Sequence, residues 1–159
     1  IVQVGEAFGL KHFGMYAMES MRIEKSYRMW GTDLTSEYSI LEAGLSRFVQ
    51  FKKDEFVGKD ALVNQKDTGI PQEFVTLEID VTDGDAMGSE PIFRKGTMIG
   101  RATSGCFGHS VGKSLALAYV QTGNGDIGTV LEIEILGERR LAHVIPESPC
   151  DPENEKLRA

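Results

Sequence analysis

From Glu73 onward the chain alternates with a period of two, Val75, Leu77, Ile79 and Val81 falling on one side and Phe74, Thr76, Glu78 and Asp80 on the other. A two-residue period sends successive side chains to opposite faces of an extended backbone, so this segment is a strand with one apolar face. Strand-like stretches recur as far as Ile145. Lys95-Gly96 separates Ile92-Phe93-Arg94 from Thr97-Met98-Ile99, a hairpin signal because glycine takes positive φ without steric cost. Residues 115–120 form a further strand, and Gly137-Glu138 joins 130–136 to 139–145 in a second hairpin. Several short antiparallel strands need their edges protected, and a small barrel provides that protection.

The first part of the chain follows another rhythm. Leu10, Phe13, Ala17 and Met21 recur at spacings of three and four while Lys11, Glu19, Arg22 and Lys25 point elsewhere, which predicts an amphipathic helix over 11–26. Its apolar face must pack on something, and a preceding part of a longer polypeptide is the natural candidate. Residues 30–45 mix Gly, Thr, Asp and Ser with scattered apolar residues and predict an ordered loop with one helical turn. Residues 60–65, following Gly58-Lys59, predict a short helix that ends near Gly69. Pro146, Pro149 and Pro152 exclude a regular element and leave an extended C-terminal tail. The expected class is α+β: an N-terminal helix and ordered loop over 1–70, then a small antiparallel β-barrel with its tail over 71–159.

Charge and cysteine usage exclude several classes of function. A formal charge of −7 argues against a broad nucleic-acid or anionic-membrane surface. No apolar run approaches the roughly 20 residues that span a bilayer. Cys106 and Cys150 stand far apart and outside any metal-ligand spacing, which favours a reducing compartment, read here as the cytoplasm. The start Ile1-Val2-Gln3 reads as part of something longer.

Several motifs invite a chemical reading. The run Gly108-His109-Ser110-Val111-Gly112-Lys113-Ser114 superficially resembles a phosphate-binding loop, but the first glycine of that motif would fall at Phe107 and a strand pattern follows, so a barrel loop is expected. His12, His109 and His143 lack ligand-spaced partners, and Asp80, Asp83 and Asp85 lack the remaining ligands of a calcium loop. No metal site and no catalytic residue emerges. Tyr27 and Trp30, beside Arg28, can stack on a flat heterocycle, the structural alternative being that both rings anchor the loop on the barrel. Arg22 and Glu24 read as a charge pair fixing the helix-loop junction. Arg158 can grip a carboxylate through a forked pair of hydrogen bonds, the alternative being a free terminus.

The words Arg22-Ile23-Glu24, Trp30-Gly31-Thr32-Asp33-Leu34, Thr35-Ser36-Glu37 and Leu41-Glu42-Ala43-Gly44-Leu45 occur in an order that resembles the folate-binding aminomethyltransferase family. That family includes the glycine-cleavage T-protein and the C-terminal parts of dimethylglycine and sarcosine dehydrogenases. The resemblance continues through Phe56-Val57-Gly58-Lys59, Thr103-Ser104-Gly105 and Ala116-Leu117-Ala118-Tyr119-Val120 to Gly128-Thr129. It implies tetrahydrofolate as cofactor, with Tyr27, Trp30 and Arg158 as its contacts in this segment. In the T-protein, the catalytic Asp and the Glu that holds the pterin lie in an N-terminal part with no counterpart here. A further folate-binding Arg of that enzyme falls at Met18, which removes a charge and a two-pronged donor. Glu24-Lys25, Tyr27-Arg28, Trp30-Gly31 and the ending from Asp151-Pro152 to Leu157-Arg158 look more like the dimethylglycine/sarcosine dehydrogenase and oxidase branch. That likeness implies a parent chain with N-terminal flavin (FAD) and folate domains, a T-protein-type aminomethyltransferase and a noncatalytic folate-fold interaction module being the alternatives.

Overall fold

The structure, a computed structural model, describes residues 1–158. Six antiparallel strands close into a barrel: β1 (Gln72–Ile79), β2 (Pro91–Arg94), β3 (Thr97–Gly108), β4 (Lys113–Gln121), β5 (Val130–Ile135) and β6 (Glu138–Ile145), arranged β1-β4-β3-β2-β5-β6. Closure removes the sheet edges that six short strands would otherwise expose. The expected α+β class is what the chain adopts.

Alternation decides which side chains fill the barrel. Val75, Leu77 and Ile79 of β1 join Ala116, Ala118 and Val120 of β4 and Ile133 and Ile135 of β5 in an apolar interior, with the buried Ser114 in the same phase at the end of β4. The opposite faces of the same strands are also covered. Phe74, Leu115, Leu117 and Tyr119 point outward, where Ile23, Ala43, Leu34 and Tyr38 pack against them. Strand β4 is therefore buried on both sides, which explains why 115–120 reads as continuous apolar sequence.

The Lys95-Gly96 hairpin forms as expected, both residues taking positive φ. The second hairpin turns at Leu136-Gly137, one residue earlier than the sequence suggests, because Leu136 adopts φ 53° and Glu138 begins β6. The phosphate-loop look-alike closes the β3–β4 hairpin, with the Gly112 N–H donating to the Gly108 carbonyl at 2.8 Å and strand on both sides. One residue, Thr103, is inserted in β3 where its register with β4 shifts between Ala102 and Ser104.

The helical part departs further from expectation. A short helix α1 (Val2–Glu6) precedes α2 (Met15–Glu24), so Leu10 and Phe13 lie before the main helix. Leu10, Phe13 and Met21 are exposed, and the buried residues of α2 are Ser20, Ile23 and Glu24. Two of those three are polar and are buried because the β3–β4 hairpin supplies their partners. Ser20 Oγ donates to the Phe107 carbonyl at 2.9 Å, and the Ser110 N–H donates to Glu24 Oε1. Helix α3 (Lys59–Thr68) is bounded by Gly58 and Gly69, close to the expected short helix. The tail is irregular up to one 3-10 turn (Lys156–Arg158), and it is tied down rather than free in its first part: Ser148 and Cys150 bond to the backbone of Lys25 and Glu24.

Candidate functional site

The loop that follows α2 is built around Asp33, whose side chain is fully buried. Arg22 Nη1 donates to Asp33 Oδ2 at 2.7 Å and the Met29 N–H donates to the same oxygen at 2.8 Å. Thr103 Oγ1 at 2.5 Å and Ser104 Oγ at 2.8 Å donate to Oδ1, and the Tyr119 hydroxyl donates to the Asp33 carbonyl at 2.8 Å. Arg22 also binds Glu19, the Tyr27 carbonyl and Ser104 Oγ, so each of its guanidinium nitrogens is engaged. Arg22 and Glu24 do fix the helix-loop junction, but through Asp33 and the β3–β4 hairpin, not through each other.

A buried carboxylate is tolerable only with such a partner set, since taking it from water is costly unless cations and donors replace the lost hydration. Tyr119, which caps the network, is stacked on Tyr38 at 3.9 Å between ring centres. Burial, followed by the field of Tyr38, holds its hydroxyl protonated far above the ordinary range. Arg101 donates to the Tyr38 hydroxyl at 2.7 Å, and that bond raises the guanidinium pKa further.

The three residues proposed from sequence are not brought to one point. Tyr27 is about half-exposed and lines a cleft of about 440 Å³ with Lys25, Arg28, Arg47, Phe48 and Glu147. Trp30 sits at the tip of the Asp33 loop with 75% of its surface exposed, so it does not anchor that loop. Arg158 lies exposed in the terminal 3-10 turn, outside the lining of the Tyr27 cleft, although Pro152 and Asn154 of the same tail contribute to it. The Arg28 side chain, by contrast, is nearly buried. It lies over the Phe74 ring at 4.1 Å, donates to the Ala43 carbonyl at 2.8 Å and pairs with Glu147 at 2.5 Å.

A second cleft, of about 470 Å³, opens between α2 and the Thr103 bulge and is walled by Tyr16, Met29, Met87 and Phe107 over Glu19 and Arg22. Cys106 also lines it. Burial and then the negative charge of Asp85 push its thiol up to about 11, against the opposing pull of Arg22. Among the described residues no group of three or more His, Cys, Asp or Glu is placed to hold a metal ion. His143 faces Asp80 at 3.4 Å and Asp83 pairs with Arg140, which ties the acidic run to the barrel surface.

The barrel, the helix and the Asp33 loop can be set against known proteins. The family model described as "Glycine cleavage T-protein C-terminal barrel domain" matches residues 72–151. The chain belongs to the glycine-cleavage T-protein family. A second model of this family, the GCVT N-terminal domain, matches residues 1–53. Mouse mitochondrial dimethylglycine dehydrogenase is 38% identical over 148 residues, which cover 92% of this chain and 17% of that protein. The aminomethyltransferase of Desulfitobacterium hafniense is 36% identical over 146 residues, 92% of this chain and 40% of its own length. The crystal structure of glycine cleavage system aminomethyltransferase T from Bartonella henselae superposes with a TM-score of 0.80 at 26% identity, covering 86% of this chain and 38% of that one. The chain thus spans well under half the length of these members of the T-protein family.

Asp33 is the residue that sequence reasoning passed over. It stands in the family-like word Trp30-Gly31-Thr32-Asp33-Leu34, yet Thr103 and Ser104 are 70 and 71 positions away, and no local spacing joins them.

Proposed function

We propose that this chain is the C-terminal folate-binding segment of an FAD-dependent N-methyl amine dehydrogenase of the dimethylglycine/sarcosine type. The observation that carries the reading is the 38% identity to dimethylglycine dehydrogenase across 92% of this chain. The remaining flavin and folate domains would belong to the same parent polypeptide, and the division of this chain near residue 70 would separate the last part of the folate domain from the barrel. The exposed Phe13, Tyr16 and Met21 support this, since they leave apolar surface in and beside α2 open to such a neighbour.

Tyr27 and Arg47, which share one cleft, would form part of a folate site's wall, with Trp30 and Arg158 approaching it from outside that cleft. Trp30 and Tyr27 offer exposed rings suited to a flat heterocycle or its aryl extension, and Arg47 and Arg158 offer donors to a carboxylate. Tetrahydrofolate supplies the amine nitrogen that takes up the one-carbon unit. The role left to this chain is to hold that cofactor and exclude water, so that a reactive imine carbon released by amine oxidation meets the nucleophile before hydrolysis. The reducing compartment read as cytoplasm is equally served by the mitochondrion, the location that the name of the mouse relative carries, and both cysteines are free thiols. Among the described residues no helix is long and apolar enough to cross a membrane.

The test uses the full-length protein with dimethylglycine or sarcosine, following dye reduction and the fate of the released carbon. The dehydrogenase reading expects amine-dependent dye reduction, with methylenetetrahydrofolate in the presence of tetrahydrofolate and formaldehyde in its absence. No dye reduction, together with aminomethyl transfer from a lipoyl carrier, would support the T-protein-type alternative that the Desulfitobacterium relative represents.

A further inference from the structure

We infer that Asp33 is a positioning residue for Trp30, fixing the ring whose folate contact is proposed above; the inference rests on that reading. An indole with 75% of its surface exposed gains little from packing, so the point and the Cα–Cβ direction from which it projects are set by the backbone that carries it. That backbone is closed on itself. The Gly31 N–H donates to the Leu34 carbonyl at 2.8 Å, and the Asp33 and Leu34 N–H groups both donate to the Met29 carbonyl at 3.0 Å. Asp33 completes the closure by accepting the Met29 N–H. The same carboxylate fastens the closed loop to Arg22 on α2 and to Thr103 and Ser104 on β3, while its carbonyl accepts from Tyr119 on β4.

The register shift in β3 is what makes this attachment possible. Neighbouring residues of a regular strand point to opposite faces, so Thr103 and Ser104 could not both reach Asp33 Oδ1 from an unbroken strand. The inserted residue re-aims one of them, a common use of β-bulges beside functional sites. Ser104 Oγ in turn accepts from Arg22 Nη2, so the bulge, the helix and the loop share one hydrogen-bonded node. Loss of a single donor to Asp33 therefore loosens the loop without removing the ring.

The experiment is a mutant cycle on two readouts. In the full-length protein, Thr103→Val and Asp33→Asn should each weaken tetrahydrofolate binding, by roughly three- to tenfold and roughly tenfold or more, while Thr103→Ser retains affinity. In a Trp30→Ala background the same substitutions should change affinity less than about twofold. The second readout uses the present chain, in which Trp30 is the sole tryptophan. Time-resolved fluorescence anisotropy, measured well below the unfolding transition, should show faster local rotation of the indole in Thr103→Val and Asp33→Asn. Unchanged anisotropy in both variants would overturn the inference, as would an equal loss of affinity with and without Trp30. If Trp30→Ala alone binds folate normally, the folate reading of that ring fails. The anisotropy then decides the positioning role by itself, faster rotation supporting it and unchanged rotation overturning it.

Discussion

The two faces of strand β4 are buried by different chemistry. Inward, Ala116, Ala118 and Val120 belong to the apolar cluster that fills the barrel. Outward, Leu115, Leu117 and Tyr119 meet Ile23, Phe74 and Ala43, but the seam around them also holds buried Asp33, Glu42, Glu24 and a Ser26–Thr76 hydroxyl pair at 2.8 Å. Apolar packing constrains volume and forgives substitutions of similar size. Buried polar groups constrain direction, because each one left without a partner costs about 1–3 kcal/mol, and more when charged. The interior thus makes the barrel stable, whereas the outer seam determines where the Trp30 loop and the tail lie.

The largest test of this contrast is Leu117→Asp, which puts an unpaired charge into the outward seam at a fully buried position. It should cost about 5 kcal/mol or more and abolish cooperative urea unfolding of the chain. An unchanged transition would show that the seam is not a packed core.

Asp33→Asn comes next, at about 2–3 kcal/mol, because it removes the buried one of Arg22's two counter-charges and leaves only the partly exposed Glu19. Apolar trimming inside the barrel, Leu77→Val for instance, should cost only about 1 kcal/mol, so a reversal of that order in denaturant titrations would break the comparison.

A smaller effect, with a pH signature, is expected at Glu42. Burial opposes its ionisation, but hydrogen bonds from the Ser39 backbone and hydroxyl, Gln72 and Gln65 prevail and hold its carboxyl below the usual range. A carboxyl with a lowered folded-state pKa adds stability that is present above its unfolded value of about 4.3 and is lost as pH falls through the folded value. Glu42→Gln should therefore cost about 1–3 kcal/mol near neutral pH, and the deficit should shrink as pH drops below about 4. A deficit independent of pH would assign the loss to shape alone.

Legibility in the sequence follows the same division. The period of two after Glu73 and the Lys95-Gly96 turn are local signals, and they located strands, a hairpin and the barrel class. The buried face of α2 was not legible, because Ser20 and Glu24 are interior only by virtue of acceptors and donors on the β3–β4 hairpin. Leu10 and Phe13 misled by falling in helical phase before the helix begins. The one-residue shift of the second hairpin turned on Leu136 accepting a positive φ that glycine was expected to take alone. Asp33 was invisible for the strongest reason: half of its partners come from a bulge that no spacing in the sequence announces.

The smallest expected effect on stability belongs to Trp30→Ala, within about 0.5 kcal/mol, since so exposed a ring contributes little packing. The same substitution tests the functional claim most directly. In the full-length protein it should weaken tetrahydrofolate binding by roughly ten- to a hundredfold, the effect of about 1–3 kcal/mol of lost stacking, while amine-dependent dye reduction proceeds at the unmodified rate. The measurement pairs calorimetric folate affinity with dye reduction in one protein preparation. Loss of affinity alone is the result this account predicts, and folate affinity equal to that of the unmodified protein would contradict it.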